Sequence, residues 1–218
     1  MTKTEKSSFF PILINLQNFP CLVIGGGKVA LRKVITLQSF NAKITVLAPK
    51  ICKPLRELSN KKVIKITQQN YNKKYLRNFK LVFCATDNPK INRAVHEDCK
   101  EKNILLNVAD VPSLCDFILP AVVKRGYLTI SVSSQGRAPF FAKEIKNKID
   151  KLFSKTYKDI LELAGNFRSA LLNNKKYKSS KIKEKAFRKF SKVDWIKIID
   201  NEGKKKANEN MLNIFKEL

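Results

Sequence analysis

The sequence predicts an α/β fold in which helices cover a parallel sheet, followed by a helical C-terminal region. Three observations predict it. Short apolar segments alternate with amphipathic helical patterns up to Asp110, a glycine-rich turn joins the first strand to the first helix, and apolar residues recur at helical spacing from about 155 to 218. Strands that alternate with helices are joined by right-handed crossovers, which makes the strands parallel.

The predicted strands of the first part are apolar runs that end at a turn or a helix start. In chain order they lie at 22–24, 42–47, 63–66, 81–85 and 104–109. The continuous apolar run at 81–85 is typical of a parallel strand covered on both faces. After it, Thr86-Asp87-Asn88-Pro89 offers a capping residue and a proline for a helix that extends to about Lys102.

The pattern changes after Asp110. Two further strands, at 117–123 and 128–133, are predicted to pair through Lys124-Arg125-Gly126. A polar loop then leads into a helix from Ala138 to about Phe153. The remaining lysine-rich segment is predicted to be helical.

The turn after the first strand predicts a Rossmann-like nucleotide site. Gly25, Gly27 and Ala30 have the spacing G-x-G-x-x-A. The first glycine permits a sharp turn, the second lets the backbone approach a pyrophosphate, and the small third residue lets helix and strand pack closely. The helix N-terminus adds N–H donors. The candidate cofactor-binding residues here are Gly25, Gly26, Gly27, Lys28 and Val29; a purely structural turn is the alternative.

The acidic partner of this pattern is missing. An NAD site normally has Asp or Glu about 20 residues beyond the glycines, where it bonds the ribose 2′-hydroxyl. Between Glu5 and Glu57 the sequence has no acidic residue, and Lys50, which follows the second strand, could face a 2′-phosphate. The predicted cofactor is NAD, and its preference over NADP stays open.

Charge and cysteine content restrict the class of protein. The 218 residues hold 44 Lys and Arg against 18 Asp and Glu, a net charge of +26. A solvated surface, attraction of an anionic small molecule and nucleic-acid binding all agree with this excess, but its spread along the chain disfavours nucleic acid. No apolar run approaches the roughly 20 residues that span a bilayer, so no membrane partner is expected. Five cysteines without C-x-x-C spacing predict reduced thiols and a cytoplasmic protein.

Seven segments taken in order carry a family resemblance over roughly residues 8–155. They are FFPILINL (9–16), CLVIGGGKVALRK (21–33), ITVLAP (44–49), LVFCATDNPKIN (81–92), LLNVAD (105–110), LCDFILPAVVKRG (114–126) and LTISVSSQGRAP (128–139). Together they resemble the precorrin-2 dehydrogenase family, whose members form sirohydrochlorin and also supply the N-terminal module of siroheme synthases.

The resemblance implies NAD-dependent oxidation of precorrin-2, a tetrapyrrole, to sirohydrochlorin within a homodimer. In some members the same site also inserts ferrous iron, so a bifunctional dehydrogenase and ferrochelatase is the alternative. A nucleotide-sensing or nucleic-acid-binding protein is more distant. The implied organisation is a Rossmann-like NAD-binding domain at 1–112, a small central dimerisation and substrate segment at 113–150, and a helical C-terminal region at 151–218.

Asp110 is the predicted catalytic residue. It directly follows the strand at 104–109, at the sheet edge where open α/β sheets bind ligands. The resemblance implies that the aspartate of this N-V-x-D segment is the essential acid–base group. A carboxylate there can accept the proton that must leave when a reduced tetrapyrrole loses hydride. The alternative is a turn cap before Pro112.

The other candidate site residues each have a structural alternative. Thr86, Asp87 and Asn88 are expected to border the cofactor; the alternative is that they only cap a helix. Asn107 and Val108 are expected to face the cofactor through their backbone. Those expected to bind substrate carboxylates are Ser133, Ser134 and Arg137, although Gln135 stands where the family usually has glycine. Asp116 either aids metal handling or caps, His96 is expected to pack, and no residue is predicted as a metal ligand because no Cys/His cluster has metal-site spacing.

Overall fold

A computed structural model describes residues 9–218 and divides them into two compact units, the first ending at Leu119 and the second beginning at Pro120. The first unit is a parallel five-stranded sheet with strand order β3-β2-β1-β4-β5. Its strands are β1 (Pro20–Ile24), β2 (Lys43–Leu47), β3 (Lys65–Thr67), β4 (Leu81–Cys84) and β5 (Leu105–Val108), and its helices are α1 (Lys28–Gln38), α2 (Lys53–Asn60) and α3 (Pro89–Glu101).

The sheet of the first unit separates two apolar cores. Along β1, Cys21 and Val23 join the core that contains α1 and α2, whereas Leu22 and Ile24 join the core that contains α3. All four side chains are buried. Because both faces are covered, β1 and the neighbouring β4 are apolar throughout, as is typical of a buried parallel sheet.

The second unit starts with an antiparallel hairpin and continues as helices. The hairpin pairs β6 (Ala121–Arg125) with β7 (Leu128–Val132). The helices are α4 (Pro139–Leu152), α5 (Tyr157–Asn173), α6 (Ser180–Ser191) and α7 (Trp195–Lys216), the last interrupted at Gly203, where φ is +83°. Phe167, Phe190 and Trp195 lie in the core of the last three helices.

The fold class predicted from the sequence is confirmed for the parallel sheet and the helical C-terminal region. The strand predicted at 117–123 was wrong in position, because β6 begins only at Ala121. Phe117 is used differently: its ring packs edge-on against Phe83 at 5.5 Å, and its carbonyl accepts a hydrogen bond from Asn107. The three-part division of the chain stays a prediction. Across residues 9–218 the structure has no helix with the length and apolar character needed to cross a bilayer.

Candidate functional site

A cleft of about 620 Å³ lies at the carboxyl ends of the strands of the first unit. The chain crosses from one side of β1 to the other between β3 and β4, and open parallel sheets bind ligands at such a crossover. The lining includes the turn 25–29, the segment 86–88 and Asp110, which the sequence placed at a ligand site. The volume is within the usual range of small-molecule sites.

The glycine turn leaves no room for side chains at its first two positions. Gly25 has a φ of +124°, and a Cβ there would lie 2.2 Å from the carbonyl oxygen of Ala85. A Cβ on Gly26 would lie 2.0 Å from the carbonyl oxygen of Lys50. The Gly26 carbonyl also accepts a hydrogen bond of 2.9 Å from the Cys52 N–H. The turn is therefore packed directly against the ends of β4 and β2.

Gly27, unlike Gly25 and Gly26, has free space where a Cβ would lie. A Cβ on Gly27 would meet no atom of the described residues within 4 Å. Gly27 precedes α1 without a capping side chain, and the first turn of α1 contains no acidic residue. Since the first N–H groups of a helix lack intrahelical partners, they are available to an anion. The open backbone, the N–H groups and Lys28 fit the pyrophosphate of NAD.

The segment 86–88 both lines the cleft and caps α3. The Asn88 side-chain oxygen accepts hydrogen bonds from the N–H groups of Lys90 and Ile91, at 3.0 and 3.3 Å. Behind it, the buried amide of Asn92 donates to the Thr86 carbonyl at 3.3 Å and accepts from the Cys84 thiol at 3.2 Å. These residues can therefore cap α3 and line the cleft at the same time.

Asp110 lies in an exposed loop that doubles back along β5. Its φ is +59°, in the left-handed region that aspartate tolerates better than most residues. Two hydrogen bonds of 2.9 Å close the loop. The Leu106 N–H donates to the Asp116 carboxylate, and the Asp116 N–H donates to the Leu106 carbonyl. Within residues 9–218 the Asp110 carboxylate makes no hydrogen bond, so the capping alternative finds no partner in the structure.

Asn107 and Val108 hold the base of this loop. The Asn107 amide donates to the Phe117 carbonyl at 3.0 Å and accepts from the Lys33 ammonium at 3.1 Å. The N–H and carbonyl of Val108 both contact the Cys115 thiol at 3.2 Å. Neither Asn107 nor Val108 lines the cleft, and their contact with a cofactor stays a prediction.

Tyr71 is a cleft residue that sequence reasoning missed. It follows β3 in a polar segment with no recognisable motif, and its ring lies half-buried in the lining. The hydroxyl donates to Asp98 at 2.7 Å, which fixes the ring. Burial and the Asp98 carboxylate both raise the pKa of Tyr71. The only sequence signal is an aromatic residue a few positions beyond a sheet strand.

The predicted substrate residues lie in the second unit and outside the cleft lining. The hydroxyl oxygens of Ser133 and Ser134 accept hydrogen bonds from the N–H groups of Gln135 and Ala138, at 3.0 and 2.9 Å. Arg137 is exposed. Gln135 adopts a φ of +54°, a conformation that the glycine usual in the family takes without strain.

Asp116 and His96 have structural roles in the described chain. Asp116 closes the loop beside β5, and the His96 ring contacts the Leu114 carbonyl at 3.3 Å. No group of three or more His, Cys, Asp or Glu side chains in residues 9–218 is arranged to hold a metal ion. All five cysteines are unpaired, and burial raises the pKa of the Cys21 thiol to about 11.

A second, more open depression of about 770 Å³ lies beside the edge strand β3. Its lining includes Lys62, Lys65, Lys74 and Arg77, and these four side chains are exposed. It contains none of the predicted site residues and does not lie at the crossover. The smaller cleft is therefore the candidate site.

Comparison with known proteins shows which family the chain belongs to and which proteins it resembles. Residues 12–121 match the model of a protein family described as "Putative NAD(P)-binding". The chain is 40% identical over 159 residues to a "Siroheme synthase" of Psychrobacter sp. (strain PRwf-1), covering 73% of the chain and 33% of that protein. It is 36% identical over 180 residues to a "Siroheme synthase" of Vesicomyosocius okutanii subsp. Calyptogena okutanii (strain HA), covering 83% of the chain and 38% of the relative.

Among solved structures, the fold is similar to that of "SirC, precorrin-2 dehydrogenase", with a TM-score of 0.70 and 22% sequence identity. The similarity covers 95% of this chain and 100% of the other. The family resemblance stated from the sequence is confirmed by these findings. The chain spans about a third of the length of the curated relatives it matches.

Proposed function

The chain belongs to the NAD(P)-binding family whose model it matches, and we propose that it catalyses the NAD-dependent oxidation of precorrin-2 to sirohydrochlorin. The observation that carries the proposal is one cleft that contains both an anion-binding glycine turn and an exposed carboxylate. Binding a dinucleotide needs the first, and removing a proton from a tetrapyrrole needs the second.

NAD, when bound, accepts the hydride that leaves the tetrapyrrole. The backbone of the turn 25–27 and the first N–H groups of α1 would hold its pyrophosphate, and the Lys28 ammonium would add positive charge. The segment 86–88, which lines the cleft at the end of β4, would border the ribose and nicotinamide. Lys50 occupies the position beyond β2 where an acidic residue would select the ribose 2′-hydroxyl.

Asp110 accepts the proton that leaves when the macrocycle is oxidised. Its carboxylate is exposed at the cleft and makes no hydrogen bond within residues 9–218, so its oxygens are available to a substrate N–H or C–H. The bonds between Leu106 and Asp116 hold the loop from below. A proton acceptor of this kind contributes about 10²- to 10⁴-fold to the rate.

The second unit contains the residues proposed to bind substrate carboxylates and to form the dimer contact. The hydroxyl groups of Ser133 and Ser134 accept from the backbone, which leaves their protons to donate to substrate carboxylates, and Arg137 can pair with a carboxylate bidentately. Tyr127 and Phe140 are 83% and 76% exposed. We propose that these side chains are covered in a homodimer, as the family resemblance implies, and that the protein is cytoplasmic.

The test is to incubate the purified protein with precorrin-2 and NAD and to follow NADH and sirohydrochlorin by absorbance. We expect turnover with the wild type and with Glu97→Gln, an exposed control on α3. Asp110→Asn should lower kcat by about 10²- to 10⁴-fold and leave the Kd for NAD within about twofold. An inactive wild type would refute the enzyme, and equal loss of NAD binding in Asp110→Asn would make the role of Asp110 structural.

A parallel incubation with ferrous iron tests the bifunctional alternative. Formation of siroheme faster than in a protein-free control would add ferrochelatase activity to the dehydrogenase. A rate equal to that control would leave the dehydrogenase alone.

A further inference from the structure

Lys33 is a half-buried lysine whose charge has no role in the cofactor site described above. It lies on α1, and its ammonium donates to the Asn107 side-chain oxygen at 3.1 Å. No carboxylate in residues 9–218 lies within ion-pair distance of it, and Lys33 does not line the cleft. Burying an ammonium without a paired carboxylate is unfavourable, so its position behind the cleft requires a reason.

Asn107, the hydrogen-bond partner of Lys33, is buried, and both ends of its amide are hydrogen-bonded. Asn107 is 6% exposed, and its amide nitrogen donates to the Phe117 carbonyl at 3.0 Å. An ammonium is only a donor and a carbonyl only an acceptor, so the two partners together allow one orientation of the Asn107 amide. Lys33 and the Phe117 carbonyl thus favour the same orientation of the Asn107 amide, and the Lys33 ammonium bonds the end of it that Phe117 does not.

This chain of bonds spans the base of the loop that carries Asp110. Asn107 lies on β5 three residues before Asp110, and Phe117 follows the loop on its return. Cys115 and, to a smaller extent, Asp110 favour the charged form of Lys33 by their Coulombic interaction with it. Lys33 is thus bonded to the base of the loop and attracted electrostatically to Asp110 within it.

We propose that Lys33 is a positioning residue, which fixes the Asp110 loop through the Asn107 amide and attracts the Asp110 carboxylate without touching substrate or cofactor. This inference rests on the proposed function of Asp110 as proton acceptor. Its structural part, the bonding of the loop base, can be tested without that function.

The pH dependence has a definite sign. Burial lowers the pKa of Lys33 below its ordinary value of 10.5, and Arg32 on the same helix lowers it further, whereas Asp110 and Cys115 oppose the shift. The ammonium is lost on raising the pH through this lowered pKa, and with it the donor to Asn107. The wild type should therefore lose kcat on the alkaline side, and Lys33→Arg, which stays charged, should lack that limb.

The experiment compares Lys33→Met, Lys33→Arg and the control Arg32→Met, which removes an exposed charge from the adjacent position of α1. Lys33→Met should lower kcat by about 10- to 100-fold, as expected for misplacement of a reacting group, with the KM for NAD within about twofold. Lys33→Arg should recover most of kcat, and Arg32→Met should match the wild-type kcat at neutral pH. Wild-type kcat in Lys33→Met, or no recovery in Lys33→Arg, would overturn the proposal.

Amide hydrogen exchange separates failure of this inference from failure of the proposed function. In Lys33→Met, residues 109–116 should exchange about tenfold faster than in the wild type, while the strands of the sheet keep their protection. Arg32→Met should leave the loop unchanged. This result is expected even of a protein that does not oxidise precorrin-2, and unchanged exchange of 109–116 in Lys33→Met would overturn the positioning role.

Discussion

Alanine at each of the three glycines of the turn should separate folding from cofactor binding. Gly27 has φ −96° and ψ −164°, which alanine adopts readily, and its Cβ would meet nothing within 4 Å. We expect Gly27→Ala to change the free energy of unfolding by about 0.5 kcal/mol or less, because the lower chain entropy of alanine offsets its weaker helix capping. The added methyl group would, however, occupy the space into which the pyrophosphate must come.

Gly25→Ala should destabilise the protein itself. A residue with a Cβ at φ +124° is strained by about 1–3 kcal/mol. Its Cβ would lie 2.2 Å from the Ala85 carbonyl oxygen, and relieving that contact by a backbone shift costs about 1–3 kcal/mol more. The sum of roughly 2–6 kcal/mol is a large part of the 5–15 kcal/mol that typically stabilises a domain. Gly26→Ala should incur only the cost of the backbone shift, because its Cβ would lie 2.0 Å from the Lys50 carbonyl oxygen.

The assay is urea unfolding without ligand together with calorimetric titration of NAD. Gly27→Ala should unfold with the wild-type midpoint and bind NAD at least about tenfold more weakly, a loss of about 1.4 kcal/mol. Gly25→Ala should unfold at lower urea. Wild-type NAD affinity in Gly27→Ala would refute the placement of the pyrophosphate, and wild-type stability in Gly25→Ala would refute the packing argument for the turn.

Two further predictions concern the framework around the site. Asn92→Leu should lower the free energy of unfolding by about 1–3 kcal/mol, because the Thr86 carbonyl and the Cys84 thiol lose their buried partner; unchanged urea unfolding would contradict this. In the second unit, the Arg125 guanidinium holds the pKa of Asp150 below its usual range, so the stability from this pair is present at neutral pH and is lost as the pH falls through the lowered value. Asp150→Asn should therefore be less stable than the wild type at pH 7 and approach it in acid, whereas a difference independent of pH would argue against the pair.

The sheet of the first unit was predictable because each strand is specified locally. The run at 81–85 and the turn at 25–27 are contiguous signals, and the structure places β4 and the glycine turn where they predict. The hairpin of the second unit was harder to place, since Phe117 is apolar and lies in a β-like pattern. What excludes Phe117 from β6 is its contact with Phe83, which is distant in sequence.

The residues of the candidate site also differ in whether a local sequence signal predicts their position. Gly25, Gly27 and Asp110 could be named from the sequence because each stands next to the strand that positions it. Tyr71 could not, since its place depends on Asp98, 27 residues away. The hydrogen bond between Lys33 and Asn107 joins residues 74 positions apart, so no local sequence pattern predicts it.

The charged residues of the cleft explain why the missing acidic residue after β2 is compatible with a dinucleotide site. The cations of the lining, Lys28 and Lys50, follow β1 and β2, whereas the carboxylates, Asp87 and Asp110, follow β4 and β5. Phosphates are therefore favoured on one side of the cleft and a proton acceptor on the other. On the proposed placement of the pyrophosphate, an aspartate after β2 would put negative charge beside the phosphates, and its absence keeps that side of the cleft positive. The proposed site thus separates the positive charges of cofactor binding from the carboxylate of proton transfer.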